Sequence, residues 1–389
     1  MSTAATTTAG VYSFATRTGA AALVLLALVV TPAPLLPPER AIELVQSALG
    51  GTPKLAYLVA ALGIHGLFYG SAGMLATFTL ERARSPRRQL LRIAVMPWIV
   101  VALAIAVRSF KLGHLPMAAN AIVPVAAVIA GVGFGLGFRY HAWKTALAAA
   151  ALLAAAGLWV WISAPSAALA RATEVQLRRL AAADTSQASG DARFAALVEA
   201  AFAPPRDNAD PVEHNRAALL ALGIALGDER AARLVGITLD PKLMRSIAAL
   251  REGVTLNGRE DWARHYTLSA ALAVLRHPIA ADAAGLMKEE LDALTHGSGF
   301  SFADLAADRA GVRFAGAATR SEASARALQA RLARGFSAGD FFPAVHDLPE
   351  NLTTEQFRRD YGGVGAALYR RMVARIEARL DALPGLETR

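Results

Sequence analysis

His265 and Ser269 stand four residues apart in a stretch that reads as helix. Side chains at that spacing share one helical face, so an imidazole and a hydroxyl project together. Two further helical patterns follow. One carries Lys288, Glu289 and Asp292, and the other carries Asp304 and Asp308 four apart. Apolar residues flank each set: Leu268 and Leu272, then Leu286 and Leu291, then Phe302, Leu305 and Phe314. Acids at i, i+4 repel when solvated, so a pair kept beside an apolar stripe needs a counter-charge or a cation. Two chemistries meet that need. In one, His265, Lys288, Glu289, Asp292, Asp304 and Asp308 form a catalytic cluster. Its His265, Glu289, Asp304 and Asp308 then hold a divalent metal or act as acid and base, while Lys288 or Arg264 holds an anionic group. In the other, Arg264, Lys288, Arg309 and Arg313 neutralise the acids in a structural ion network. The second reading expects Asp304→Asn to lower the melting temperature.

The ordered motif also carries a resemblance. It runs His265-Tyr-Thr-Leu-Ser269, then Ala284-Gly285-Leu-Met-Lys288-Glu289-Glu-Leu-Asp292, then Ser298-Gly-Phe-Ser-Phe-Ala-Asp304-Leu-Ala-Ala-Asp308-Arg-Ala-Gly311. Over residues 261–315 it resembles the core of the YfiM-like periplasmic lipoproteins, and more remotely it is similar to VanZ-like membrane proteins. Arg264 stands where the lipoprotein pattern has Lys, and the chain has no Cys to lipidate. The resemblance implies a cell-envelope location and a shared polar core, and no established reaction.

Other chemistry is weaker. Zero Cys excludes disulfides, thiolate catalysis and Cys-ligated zinc. Gly362, Gly363 and Gly365 precede a helix without the strand or Lys of a phosphate-binding loop, so they read as a cap. Ser301 lacks a nucleophile-elbow context. His214, His277, His296 and His346 are isolated in or near expected loops and read as surface residues.

The elements that must position the cluster are helical throughout. After Pro165 the pattern predicts helices over 167–198 with a break near 184–191, then over 212–226, 241–250, 262–275, 281–294, 302–317, 321–334 and 364–383. Asp261 and Ser301 read as N-caps, Asn257-Gly258 as a turn, and Phe341 to Pro343 as a loop. No alternating strand pattern of useful length occurs.

Before Pro165 the chain is apolar. Hydrophobic residues make up 54% of the whole sequence, and they concentrate in windows near the ~20 residues needed to cross a bilayer. Those windows predict about five spans, over 19–36, 55–80, 91–107, 118–138 and 145–164. Arg82, Arg84, Arg87, Arg88 and Arg92 mark one loop as cytoplasmic, and Arg139 with Lys144 mark another. Arg108 and Lys111 make the loop between them less basic. The N-terminus is then inside and everything after the fifth span is periplasmic. The first span could instead be a signal peptide, although prolines crowd its cleavage region. His65 in the second span is a lone ionisable group, and too few spans are present for a common transporter fold. Gly131, Gly133, Gly135 and Gly137 form small-xxx-small pairs suited to close helix packing or to an oligomer face.

The net charge of +9 does not argue for nucleic acid, because much of it lies beside membrane spans without interleaved aromatics. The sequence thus predicts an all-α chain. A polytopic bundle over 1–165 anchors it in the lipid bilayer of a bacterial inner membrane, and a helical periplasmic domain occupies 166–389. The expected role is a cell-envelope scaffold or assembly factor with a protein partner. The alternative is a metal-dependent envelope enzyme acting on a lipid-linked or cell-wall substrate.

Overall fold

The computed structural model describes residues 45, 53–61, 67–77, 118–141, 143–183, 185, 187–204, 210–275 and 299–386. All its regular structure is helical. The described residues otherwise contain two isolated bridges, Leu256 to Arg259 and Phe300 to Leu352. The chain divides into two compact units, one of residues 1–164 with 277–279 and one of residues 165–276 with 280–389.

The first unit contains α1 (Pro53–Ala61), α2 (Leu67–Ala76), α3 (Ala118–Tyr140) and α4 (Trp143–Ser163). α3 packs against both α2 and α4, and α1 packs on α4. Small residues set the separation. A methyl on Gly131 would collide with the Gly70 carbonyl, and one on Gly135 with the Thr77 hydroxyl. On another side of α3, a methyl on Gly133 would sit 2.9 Å from the Ala149 Cβ of α4. These three glycines therefore face the chain's own helices, and Gly137 is buried beside them. α3 and α4 cover the fourth and fifth expected spans. Among the described residues one helical stretch, Trp143–Ala181, is long and apolar enough to cross a membrane, and its apolar part is α4. A shorter apolar stretch is Val125–Phe138. The first and third spans, the Arg82–Arg92 and Arg108–Lys111 loops, and His65 lie outside the described residues.

The second unit contains α5 (Ala167–Ala181), α6 (Gly190–Phe202), α7 (Pro211–Leu222), α8 (Ala231–Val235) and α9 (Pro241–Arg251). It continues with α10 (Glu260–Val274), α11 (Phe302–Thr319), α12 (Glu322–Leu332), α13 (Ala338–Phe341), α14 (Thr354–Tyr361) and α15 (Ala367–Asp381). α10 is the central helix, and its Trp262, Tyr266, Leu268, Ala270, Ala271 and Val274 are all buried. Around it stands an aromatic core. Tyr266 lies 6.0 Å from Phe194, 5.6 Å from Phe314 and 6.3 Å from Phe342. Burying such large side chains in close-packed contact is the main stabilising term for a fold of this kind.

Glycines let two neighbours approach α10 closely. α7 runs into a π-turn over Gly223–Gly227, where the Asp228 amide donates to the Gly223 carbonyl at 2.8 Å. A methyl on Gly223 would collide with Ala271, and one on Gly311 of α11 with the Tyr266 carbonyl. Arg251 donates to the Ala225 and Ile224 carbonyls at 3.0 and 3.3 Å, satisfying acceptors at the end of the π-turn.

Several element boundaries differ from the sequence pattern. α10 opens at Glu260 with Arg259 as N-cap, so Asp261 lies in the first turn instead of capping it. The cause is the turn at Asn257 and Gly258 (φ 54° and 81°), which pairs Leu256 with Arg259 and holds Arg259 extended. α6 runs on to Phe202, and the helical turn Ala338–Phe341 takes in the first residue of the expected Phe341 to Pro343 loop, whose other two residues are non-helical. α14 appears where no helix is expected, started by a capping box between Thr353 and Gln356. The last helix opens at Ala367 and not at Val364, because Gly362, Gly363 and Gly365 hold positive φ values that do not continue a helix. The expected helix 281–294 lies outside the described residues.

Candidate functional site

α10 and α11 bring His265, Ser269, Asp304 and Asp308 together. Ser301 caps α11 by accepting from the Asp304 amide at 3.0 Å, which fixes the register of that helix. Asp304 and Asp308 then point toward α10 one turn apart. His265 Nδ1 lies 3.1 Å from Asp308 Oδ1, and its Nε2 lies 3.8 Å from Asp304 Oδ2. The Ser269 hydroxyl donates to the same Asp308 Oδ1 at 2.7 Å. His265 is 8% exposed, and the Asp304 and Asp308 side chains are 23% and 15% exposed. Each nitrogen of the imidazole thus faces an acid of the same chain, and the serine spends its proton on a carboxylate. A nucleophilic triad needs the hydroxyl against a ring nitrogen, and this arrangement does not have it.

The two acids are not equivalent. Asp304 Oδ1 is buried and has no hydrogen-bond partner among the described residues. Burial pushes the Asp304 carboxyl above its usual range, and the negative charges of Asp261, Asp308 and Glu350 push the same way, with His265 opposing. Asp261 has the reverse balance. Burial would raise it, yet its bonds to Arg259 hold it below the usual range. Arg259 also reaches Glu350 at 3.2 Å and lies 4.8 Å over the Trp262 ring.

Two of the counter-charges expected from the sequence are engaged elsewhere. Arg309 and Arg313 pair with Glu377 and Asp381 of α15. The helix explains this. Arg309 is one residue and Arg313 five residues beyond Asp308, which puts them about 100° and 140° round from it. Arg264 lines a cleft with Leu226, Arg251, Val254, Glu260 and Ala263. Lys288, Glu289 and Asp292 lie outside the described residues, as do His277 and His296. Among the described residues no group of three or more His, Asp or Glu is arranged to hold a metal ion.

His214, expected at the surface, is buried in α7 with Gln176 Nε2 3.3 Å from its Nδ1. The adjacent Asn215 is fully buried. It donates to the Ala318 carbonyl at 2.8 Å and accepts from Gln329 at 2.8 Å, joining α7 to α11 and α12. His346 is exposed, 5.5 Å from the Trp262 ring and 3.1 Å from Asn257. Two acids that act on Asp304, Asp261 and Glu350, were not read as part of the site. Asp261 stands one turn before His265 and could have been found by that spacing. Glu350 arrives through a distant loop and leaves no local signal. No family model matches this chain, and no match is found among curated proteins or solved structures.

Proposed function

We propose that this protein is a membrane-anchored, non-catalytic cell-envelope protein whose helical second unit serves as a scaffold or assembly platform for a protein partner. The cluster at His265 is then an internal clamp between α10 and α11. The observation that carries this reading is that the His265 imidazole and the Ser269 hydroxyl of α10 both turn toward acids of α11. Both His265 nitrogens face acids, and the Ser269 proton goes to Asp308. An α4 with exposed Leu147, Leu158 and Ile162 supports embedding in lipid. The five-span topology, the cytoplasmic N-terminus, the inner-membrane and periplasmic placement and the YfiM-like kinship rest on the sequence pattern. Self-association through Gly131, Gly133, Gly135 and Gly137 rests on it too, and the chain's own helices already cover the first three.

A second reading has one observation in its favour. Asp304 Oδ1, buried and without a partner among the described residues, and its raised carboxyl suit a general acid or an oxygen ligand. In that reading the site is a metal-dependent envelope enzyme with Glu289 completing the ligand set. The deciding experiment is metal content by mass spectrometry on detergent-purified full-length protein and on Asp304→Asn, each checked by circular dichroism. A folded parent without metal supports the scaffold. Near-stoichiometric metal that a folded Asp304→Asn loses would replace it with the enzyme.

A further inference from the structure

The turn between α14 and α15 displays apolar side chains among arginines. Gly362, Gly363 and Gly365 adopt φ of 74°, 88° and 82°, conformations that L residues rarely take, in the five residues between α14 and α15. Val364 at the tip is 66% exposed, and Leu368 one helical turn later is 50% exposed. The base beneath them is packed. Phe357 stacks on Phe300 at 4.2 Å, and Phe302 lies 4.8 Å from Tyr361 and 6.0 Å from Tyr369. Arg309 and Arg313 tie α15 to α11 through Glu377 and Asp381. The tip is therefore held outward by a rigid support.

Arg358, Arg359, Arg370 and Arg371 are exposed around this tip. The acids in the same stretch are Glu355 and Asp360, and Asp360 pairs with Arg359 at 2.8 Å. Four cations against two anions leave an excess of two. Among the described residues no ion pair engages Arg358 or Arg371. An exposed apolar tip ringed by arginines has the chemistry of a segment that lies in an anionic bilayer interface. A protein partner fits less well. Stable protein interfaces bury on the order of 800 Å² per partner around a charge-depleted centre, and here arginines surround two apolar side chains.

We propose that the α14–α15 turn docks on an anionic lipid surface. Val364 and Leu368 enter the boundary between headgroups and acyl chains, and Arg358 and Arg371 pair with lipid phosphates, while Arg370 donates to the Gly365 carbonyl within the turn. The inference rests on the reading of the first unit as membrane-embedded. α4 ends at Ser163 and α5 begins at Ala167, so three residues join these two helices.

The chain has no cysteine, so Val364→Cys allows an environment-sensitive fluorophore at one position. Full-length labelled protein is placed in nanodiscs of phosphatidylcholine, with or without phosphatidylglycerol. Emission and quenching by spin-labelled lipid are then read. The expected result is blue-shifted, lipid-quenched emission in anionic discs, weakened several-fold in neutral discs and in an Arg358→Glu/Arg371→Glu background. A label at Met244→Cys on α9 stays water-like, and one at Leu158→Cys on α4 is quenched in both discs. A water-like Val364 label beside a quenched Leu158 label overturns the docking alone. A water-like label at Leu158 overturns the membrane reading, and the docking with it. Lipid quenching at Val364 that ignores both disc charge and the arginine reversals overturns the anionic recognition.

Discussion

Two acidic pairs in the second unit have the same spacing and opposite fates. Asp304 and Asp308 on α11 face the His265 imidazole, and burial raises Asp304. Glu377 and Asp381 on α15 face Arg309 and Arg313, themselves four apart. Burial also works against the Glu377 carboxylate, yet the two arginines hold it below its usual range. α11 contributes to both pairs, one from each of two faces. The spacing decides only that two acids share a face. The residue opposite decides whether that face is a solvated ion network or a desolvated carboxyl poised against a histidine.

The largest test of the comparison is Asp308→Ala. It strips a partner from both His265 Nδ1 and the Ser269 hydroxyl, so denaturant unfolding should show a loss of about 3 kcal/mol, as for a broken buried pair. A loss under about 1 kcal/mol, the range of an exposed ion pair, would make the two regions equivalent. The structure thereby moves the destabilising substitution from Asp304 to Asp308. Gly311→Ala comes next. Its methyl collides with the Tyr266 carbonyl and forces α11 off α10, which should cost about 2 kcal/mol and perturb the His265 imidazole shifts in NMR spectra.

The pH dependence should differ in sign between the two pairs. Asp304 has a folded value above its ordinary 3.8, so its contribution is fully present below that pH and is lost as pH rises through the raised value. Asp304→Asn should flatten that decline in a series of melts. Glu377 has a folded value below its ordinary 4.5, so its contribution is present above that pH and is lost as pH falls. Glu377→Gln should flatten the acid limb instead, and matching slopes in the two variants would remove the distinction. The smallest effect belongs to Arg313→Ala. Its side chain is 36% exposed, and solvent-screened pairs of this kind contribute about 0.5 kcal/mol.

Much of this was legible from local pattern. Ser301 capping α11, the Asn257-Gly258 turn and Pro241 opening α9 are short-range signals, and each fixes an element near its expected place. That His265 shares a face with Ser269, and Asp304 with Asp308, followed from i, i+4 spacing on each helix. Arg309 and Arg313 misled because nearness in sequence is not nearness round a helix. His214 misled because an isolated polar residue beside a Pro-rich loop looks solvated, although Gln176 from another helix satisfies it in the core. α14 was missed because its eight residues include only Phe357 and Tyr361 to mark an apolar face, and its capping box is the clearer signal.

The sequence by itself determined the all-α class, an apolar helix long enough to cross a membrane, and the helical faces that carry the polar residues. These depend on composition and on periods of a few residues, which act within one turn or one span. Tertiary structure alone decided which faces meet. Gly223 and Gly311 admit their neighbours to within backbone contact of α10, and that approach places Asp308 on His265 and carries Arg313 toward α15. Such contacts join residues tens of positions apart, and no local pattern encodes which partner a face will find.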